Sequence, residues 1–374
     1  VTETIVDRTW RRACAAALSE LPEVGPARLY AILADAPPEV AWERIADGAP
    51  LPPALRGSAT NRDDLRSKWM RHSRTIDPWE TLAKYDDAGI GIWTQLDQFP
   101  ARLLNDPSPA AVLYYRGDPS ALNRPTVALV GTRRCTSEGR TIAQRLGREL
   151  ADSGVSVVSG LALGIDGAAH RGALASADGA PAIGVVGSGL DVIYPRSNAD
   201  IWRAVGEQGL LISESPLGVS PEQWRFPARN RLIAGLADLV VVVESGESGG
   251  SLLTVNEAEG RGKPVMAVPG SIQSKACRGT NFLISDGCAP VCSVDDILMA
   301  LELDLASRID DELPSLEALD RSVLEAIGRS PTSTDEVVLR SGIDVGQVCA
   351  ALVRLEMSGW IEGDGGWWQR IDWE

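Results

Sequence analysis

Between residues 125 and 300 the sequence alternates short, continuously apolar runs with longer amphipathic ones, and this alternation limits the fold more than any other feature. Residues 127–130, 155–158, 183–186, 210–212, 239–243 and 265–268 read as strands, with a weaker one at 290–291. None alternates polar with apolar residues as a half-solvated strand would, so both faces of the sheet are expected to be covered. Helices are expected over 139–152, 165–176, 198–207, 229–236 and 252–261. Strand and helix in strict turn give a doubly wound, mainly parallel α/β sheet.

Ligands of such sheets bind outside the carboxyl ends of the strands. The segments expected there are Gly131-Thr132-Arg133-Arg134, Ser159-Gly160, Gly187-Ser188-Gly189, Glu214-Ser215-Pro216, 244–250 and Pro269-Gly270, which are small, polar or basic. Two further stretches flank the apolar strand 239–243: Arg225-Phe226-Pro227-Ala228-Arg229-Asn230-Arg231 before it, and Gly249-Gly250-Ser251 after it. Each opens a helix, where free N–H groups and the positive dipole end suit phosphate oxygens, and Phe226 offers a flat face to a base. Arg229 and Arg231 are two apart on a helix, roughly 200° around its axis, so one is expected to face the ligand while the other pairs inward with Asp166 or Glu214.

The chemistry of an enzyme is hard to assemble from these residues. A phosphate-hydrolysing loop needs a lysine after its second glycine. The loop at Gly246 has none, and the chain holds only four lysines. Gly187-Ser188-Gly189 lacks the third glycine of a dinucleotide fingerprint. Asp166 and His170, four apart on one helix, are expected to form a local structural pair rather than an acid–base couple. Cys277, Cys288 and Cys292 have no fourth ligand nearby, so no metal is expected, and no cofactor either.

The flanks differ from the centre. Residues 1–78 read as short helices. The turn Leu21-Pro22-Glu23-Val24-Gly25-Pro26-Ala27-Arg28-Leu29 has helix-hairpin-helix spacing, but with Arg28 beside two acids a plain bundle turn is the preferred reading. Residues 79–304 hold the sheet, led in by short strands near Trp93 and Tyr114; 305–315 read as an acidic linker, and 316–374 as three helices and two strands in winged-helix order. The third of those helices is not basic, which favours a protein-contact module over a duplex reader. The net charge of −15 is unevenly spread: residues 293–374 carry −12, while 124–292 are neutral and can hold a local basic patch. No run of 18 apolar residues occurs, the first twelve residues are polar and charged, and the six cysteines are scattered, so a cytoplasmic protein with no membrane partner is expected.

In order and spacing, Ser159-Gly160-Leu161-Ala162-Leu163-Gly164-Ile165-Asp166-Gly167-Ala168-Ala169-His170, Gly189-Leu190-Asp191-Val192-Ile193-Tyr194-Pro195, Phe226-Pro227-Ala228-Arg229-Asn230-Arg231-Leu232-Ile233-Ala234-Gly235-Leu236 and Ala267-Val268-Pro269-Gly270 resemble the DNA-processing protein A (DprA/Smf) family. The resemblance is close over roughly 85–300. It implies an extended Rossmann domain that binds single-stranded DNA, protects incoming DNA and loads the RecA recombinase in natural transformation, commonly as a homodimer and without catalytic activity. It places the phosphate-contacting arginine on Arg133 and the aromatic and basic contacts on Phe226, Arg229 and Arg231. The chain departs from the family pattern at Ser137-Glu138-Gly139, where a Ser-x-Tyr-Gly is usual, and at Ala228, where a basic residue is common; both changes subtract from the basic surface. A rival reading takes Ser248-Gly249-Gly250-Ser251 and Glu257 as the phosphate loop and catalytic glutamate of Rossmann proteins that cleave nucleoside monophosphates, although the proline and Gly-Thr spacing of that pattern are absent.

Overall fold

The computed structural model describes residues 5–55, 62–301, 318–327, 331–357 and 360–370. The chain divides into two compact units, Val1–Leu303 and Asp304–Glu374. The expected linker at 305–315 lies outside the described residues.

The first unit is built on a nine-stranded sheet: β1 (Gly91–Thr94), β2 (Val112–Gly117), β3 (Thr126–Gly131), β4 (Ser156–Ser159), β5 (Ile183–Val186), β6 (Leu210–Ser213), β7 (Leu239–Glu244), β8 (Val265–Ala267) and β9 (Ala289–Pro290). Their order across the sheet is β1-β2-β6-β5-β4-β3-β7-β8-β9. β1, β2 and β6 pair antiparallel, and from β6 to β9 every pairing is parallel. The chain therefore winds outward from β3 through β4, β5 and β6, then returns to β3's other side for β7. That reversal opens a crevice at the carboxyl ends of β3 and its neighbours. Every residue of β4, β5, β6 and β7 is buried, which is why these strands read as unbroken apolar runs.

One boundary differs from the sequence reading by a full turn. The helix before β7 runs Arg225–Leu236, starting four residues earlier than expected. Proline is compatible with a first turn, where N–H groups lack intrahelical partners, so Pro227 sits inside the helix rather than ahead of it.

Residues 1–78, expected as a domain of their own, fall in the same compact unit as the sheet. Helices Ile5–Ser19 and Pro78–Asp87 lie over β1 and β2. Ser19 Oγ meets the Tyr114 hydroxyl, Tyr85 stacks on Tyr114 at 4.9 Å, and Arg12 Nε donates to Asp97 Oδ2 at 2.6 Å. The Ser19 and Arg12 contacts tie the helices before residue 78 to the segment that carries β1 and β2. No described helix is long and apolar enough to cross a membrane.

The second unit is a winged helix: helices Ala318–Ala326, Thr334–Ser341 and Val345–Met357, and an antiparallel sheet of Thr332–Ser333, Trp367–Arg370 and Ile361–Asp364. Val323, Ile327, Val337, Val348, Leu352 and Leu355 form its core. On its third helix Arg354 pairs with Asp320 at 2.5 Å, while Val345, Val353 and Met357 are exposed, so that surface is apolar rather than basic.

Candidate nucleic-acid interface

A cavity of about 620 Å³ opens at the reversal point, walled by the segments that follow β3, β4, β5 and β7 and by the helix Arg225–Leu236. Arg133 and Arg134, just past β3, are exposed. The Arg133 guanidinium carbon lies 4.7 Å from the centre of the Phe226 ring. Tyr194, after β5, tilts against the same ring with centroids 5.6 Å apart. A cation above one aromatic face with a second aromatic alongside gives the cavity mouth both a phosphate-directed charge and flat surfaces for bases. Sequence reasoning missed Tyr194. It stands next to last in the Gly189–Pro195 motif, and the available signal is an aromatic in a segment destined for the carboxyl edge.

The loop carrying Arg133 is held from below. Glu244, the last residue of β7, is buried, and its carboxylate accepts from Thr136 N at 2.8 Å and Thr136 Oγ1 at 2.7 Å. Thr136 in turn caps the following helix through Gly139 N. The loop also crosses closely over Gly164: a Cβ there would lie 2.2 Å from the Thr132 carbonyl oxygen, and its φ of +78° already favours glycine.

Of the two arginines, Arg231 takes the expected inward pairing with Glu214, and Arg229 lines the cavity only as a buried floor residue. Arg229 is only 6% exposed and donates from Nη1 to the Val185 carbonyl oxygen at 2.9 Å, on the cavity floor. Burial draws its pKa down to about 10, with Asp166 opposing the shift, so it remains a cation at neutral pH. Arg231 leaves the cavity altogether and pairs with Glu214 at 2.5 Å, both side chains about nine-tenths buried. The one-turn shift of the helix start explains this: neither arginine stands at its mouth.

Ser159 and Gly160 also need correction as surface contacts. Ser159 is fully buried and donates to the Leu129 carbonyl oxygen at 2.6 Å. Gly160 lies under Arg229, where a Cβ would fall 1.6 Å from Nη1, so the glycine makes room for the guanidinium. Arg225 points to the far side of its helix and bonds Ser215 Oγ at 3.2 Å. Gly131, Asn230, Gly250 and Ser251 do line the cavity; Ser251 bonds the Ser245 hydroxyl at 2.9 Å, and Gly249 packs against Ser245 behind it.

Asp166 and His170 do not pair through their side chains. His170 Nε2 lies 3.1 Å from the Ile183 carbonyl oxygen, and burial pushes the ring down to about 4, leaving it neutral. Burial raises Asp166, against the pull of Arg229 and of backbone N–H groups from Ala162 and Gly160. Glu257 is engaged elsewhere, by Arg261 at 2.5 Å, and does not line the cavity. Among the described residues no group of His, Cys, Asp and Glu converges for a metal ion.

Residues 91–302 match the family model described as DNA recombination-mediator protein A, and residues 307–366 that of the DprA winged helix domain. The chain is 34% identical over 372 residues to a putative DNA processing protein DprA of Mycobacterium tuberculosis, covering 94% of this chain and 92% of that one. It is 36% identical over 282 residues to protein Smf of Escherichia coli, covering 73% and 75%. Among solved structures, DNA processing protein A of Streptococcus pneumoniae superposes with a TM-score of 0.64 at 31% identity, over 78% of this chain and 97% of that one. The Helicobacter pylori protein, described for its single-stranded DNA binding mode, gives a TM-score of 0.52 at 30% identity, over 57% and 95%.

Proposed function

The chain belongs to the DNA recombination-mediator protein A (DprA/Smf) family, and from that premise we propose that it binds single-stranded DNA along the carboxyl edge of its sheet, protects it and passes it to the RecA recombinase in natural transformation. The observation that carries the reading is Arg133 poised over Phe226 beside Tyr194 at the reversal point. The arginine meets phosphate and the rings stack bases, a combination that tracks a strand without reading its sequence. Arg134, Asn230, Gly250 and Ser251 complete the contact surface, while Arg229 works from the floor by holding the cavity's shape and adding positive potential. The acidic winged helix serves protein contact rather than duplex binding. The protein acts in the cytoplasm as a homodimer through the Rossmann domain, for which exposed Ile272 and Phe282 offer apolar surface.

In this reading the protein binds and hands over DNA without transforming it. The rival, nucleoside-monophosphate cleavage, has less support, because Glu257 pairs with Arg261 and does not line the cavity. Titration with single- and double-stranded oligonucleotides tests the binding. Tighter binding of the single strand, falling with salt, is expected; equal or absent binding defeats the proposal. Free base released from nucleotides would restore the rival. RecA assembly on coated single strands, timed with and without this protein, tests the handover.

A further inference from the structure

The helix Arg225–Leu236 has a second open side. Away from Phe226 it walls a larger cleft, about 1270 Å³, whose opposite wall is the bundle turn from Glu23 to Tyr30. This is the hairpin turn that stands out in the sequence and that the single-strand pocket leaves unused. At the lip stands Trp224, 50% exposed.

The indole is held rather than loose. Its Nε1 donates to Glu222 Oε2 at 2.5 Å, and the Arg225 guanidinium carbon sits 4.4 Å from the ring centre. A Cβ on Gly25 would come within 4.0 Å of the outer indole edge, so the bundle turn faces it directly. An exposed tryptophan fixed by a hydrogen bond and a cation on one face presents its remaining surface as a flat platform, with little side-chain entropy left to lose.

Charge in the cleft points the same way. Glu214 is matched by Arg231 at 2.5 Å, Glu23 by Lys68 at 3.1 Å and Arg28 at 3.5 Å. Burial raises Glu20, with Lys84 opposing it. With Glu214, Glu23 and Arg225 each held in an ion pair, most of the cleft's charge is spent within the protein, and what it adds is aromatic surface. Trp224 and Phe226 are two residues apart and flank the start of the helix, so a strand leaving the Phe226 pocket over that first turn arrives at Trp224.

We propose that Trp224 is a second stacking platform, taking a base of the same single strand beyond those held at Phe226, with the bundle turn closing over it. This rests on the Phe226 pocket being a single-strand site.

The experiment uses the full chain and oligothymidylates from about 4 to about 16 nucleotides, the span of common single-strand site sizes. Trp224→Ala is expected to bind the shortest strands like the wild type and the longest roughly ten-fold more weakly, with an unchanged salt slope because stacking releases no counterions. Trp224→Phe is expected to recover most of the loss. Photo-cross-linking of strands carrying bromodeoxyuridine gives an independent readout on the wild type. Trypsin cuts after Arg225, so peptides holding Trp224 and Phe226 separate, and cross-links to the Trp224 peptide are expected from one end of long strands only. Equal binding of wild type and Trp224→Ala at every length, or cross-links confined to the Phe226 peptide, would overturn the proposal. A loss of the same size at every length would also overturn it, since Trp224 would then act through the Phe226 pocket. If the wild type binds no strand at all, the parent reading falls with it; normal wild-type binding with either negative result removes the second platform alone.

Discussion

The two sides of the helix Arg225–Leu236 use the same residue types to opposite ends. On one side Arg229 is pulled onto a backbone carbonyl beneath Phe226, and the exposed charge above the ring comes from Arg133 on another segment. On the other side Arg231 is neutralised by Glu214, and the exposed aromatic is Trp224. The first side keeps a free cation at its mouth; the second holds Arg231 in an ion pair. A run rich in arginine is therefore not a basic surface until the partner of each guanidinium is known.

The largest effect that would sharpen this contrast is on stability. Arg231→Ala strands a buried Glu214 and is expected to cost about 3–5 kcal/mol in denaturant unfolding, whereas replacing both with apolar residues (Glu214→Leu with Arg231→Met) recovers most of it. If the single change is silent, Arg231 is not matched to Glu214 as described. Next comes pH. His170 sits behind the first side with its pKa near 4 rather than the ordinary 6.5. Its folded value is depressed, so its contribution is complete above about pH 6.5 and fades as pH falls toward 4, by on the order of 3 kcal/mol. Unfolding measured across that window, with His170→Gln for comparison, should show the slope flatten in the variant.

Smaller effects concern binding. Phe226→Ala is expected to weaken single-strand affinity by about 1–3 kcal/mol while leaving the salt slope in place. Arg133→Ala should change stability by less than about 0.5 kcal/mol, as an exposed residue does. It should lower affinity for all sequences and reduce the slope of log K against log salt by about 0.7. An Arg133 variant with wild-type affinity and slope would move the strand away from this edge.

The sheet was legible because its strands are covered on both faces and show as unbroken apolar runs. The place of Arg133 at the carboxyl edge was legible because it closely follows the first of the parallel strands. Arg229 was not, since its fate depends on a helix start that Pro227 disguised and on Gly160, delivered from β4 more than sixty residues away in sequence. The partner of Arg231 could be narrowed to two acids, but choosing Glu214 required knowing which side of the helix faced β6. Tyr194 became a site residue only once topology set β5 beside β4.

The room that Gly160 leaves for a guanidinium has a consequence for selection experiments. A library randomised at position 160 and sorted only for soluble protein should favour glycine, because a Cβ there displaces the Arg229 guanidinium from its buried bond to the Val185 carbonyl oxygen. Position 133 should accept nearly any residue under that sort and narrow to arginine only when clones are captured on an oligonucleotide. Foldability and ligand capture would then be written at separate positions on the same few ångströms of sheet edge, and two rounds of sorting would tell them apart.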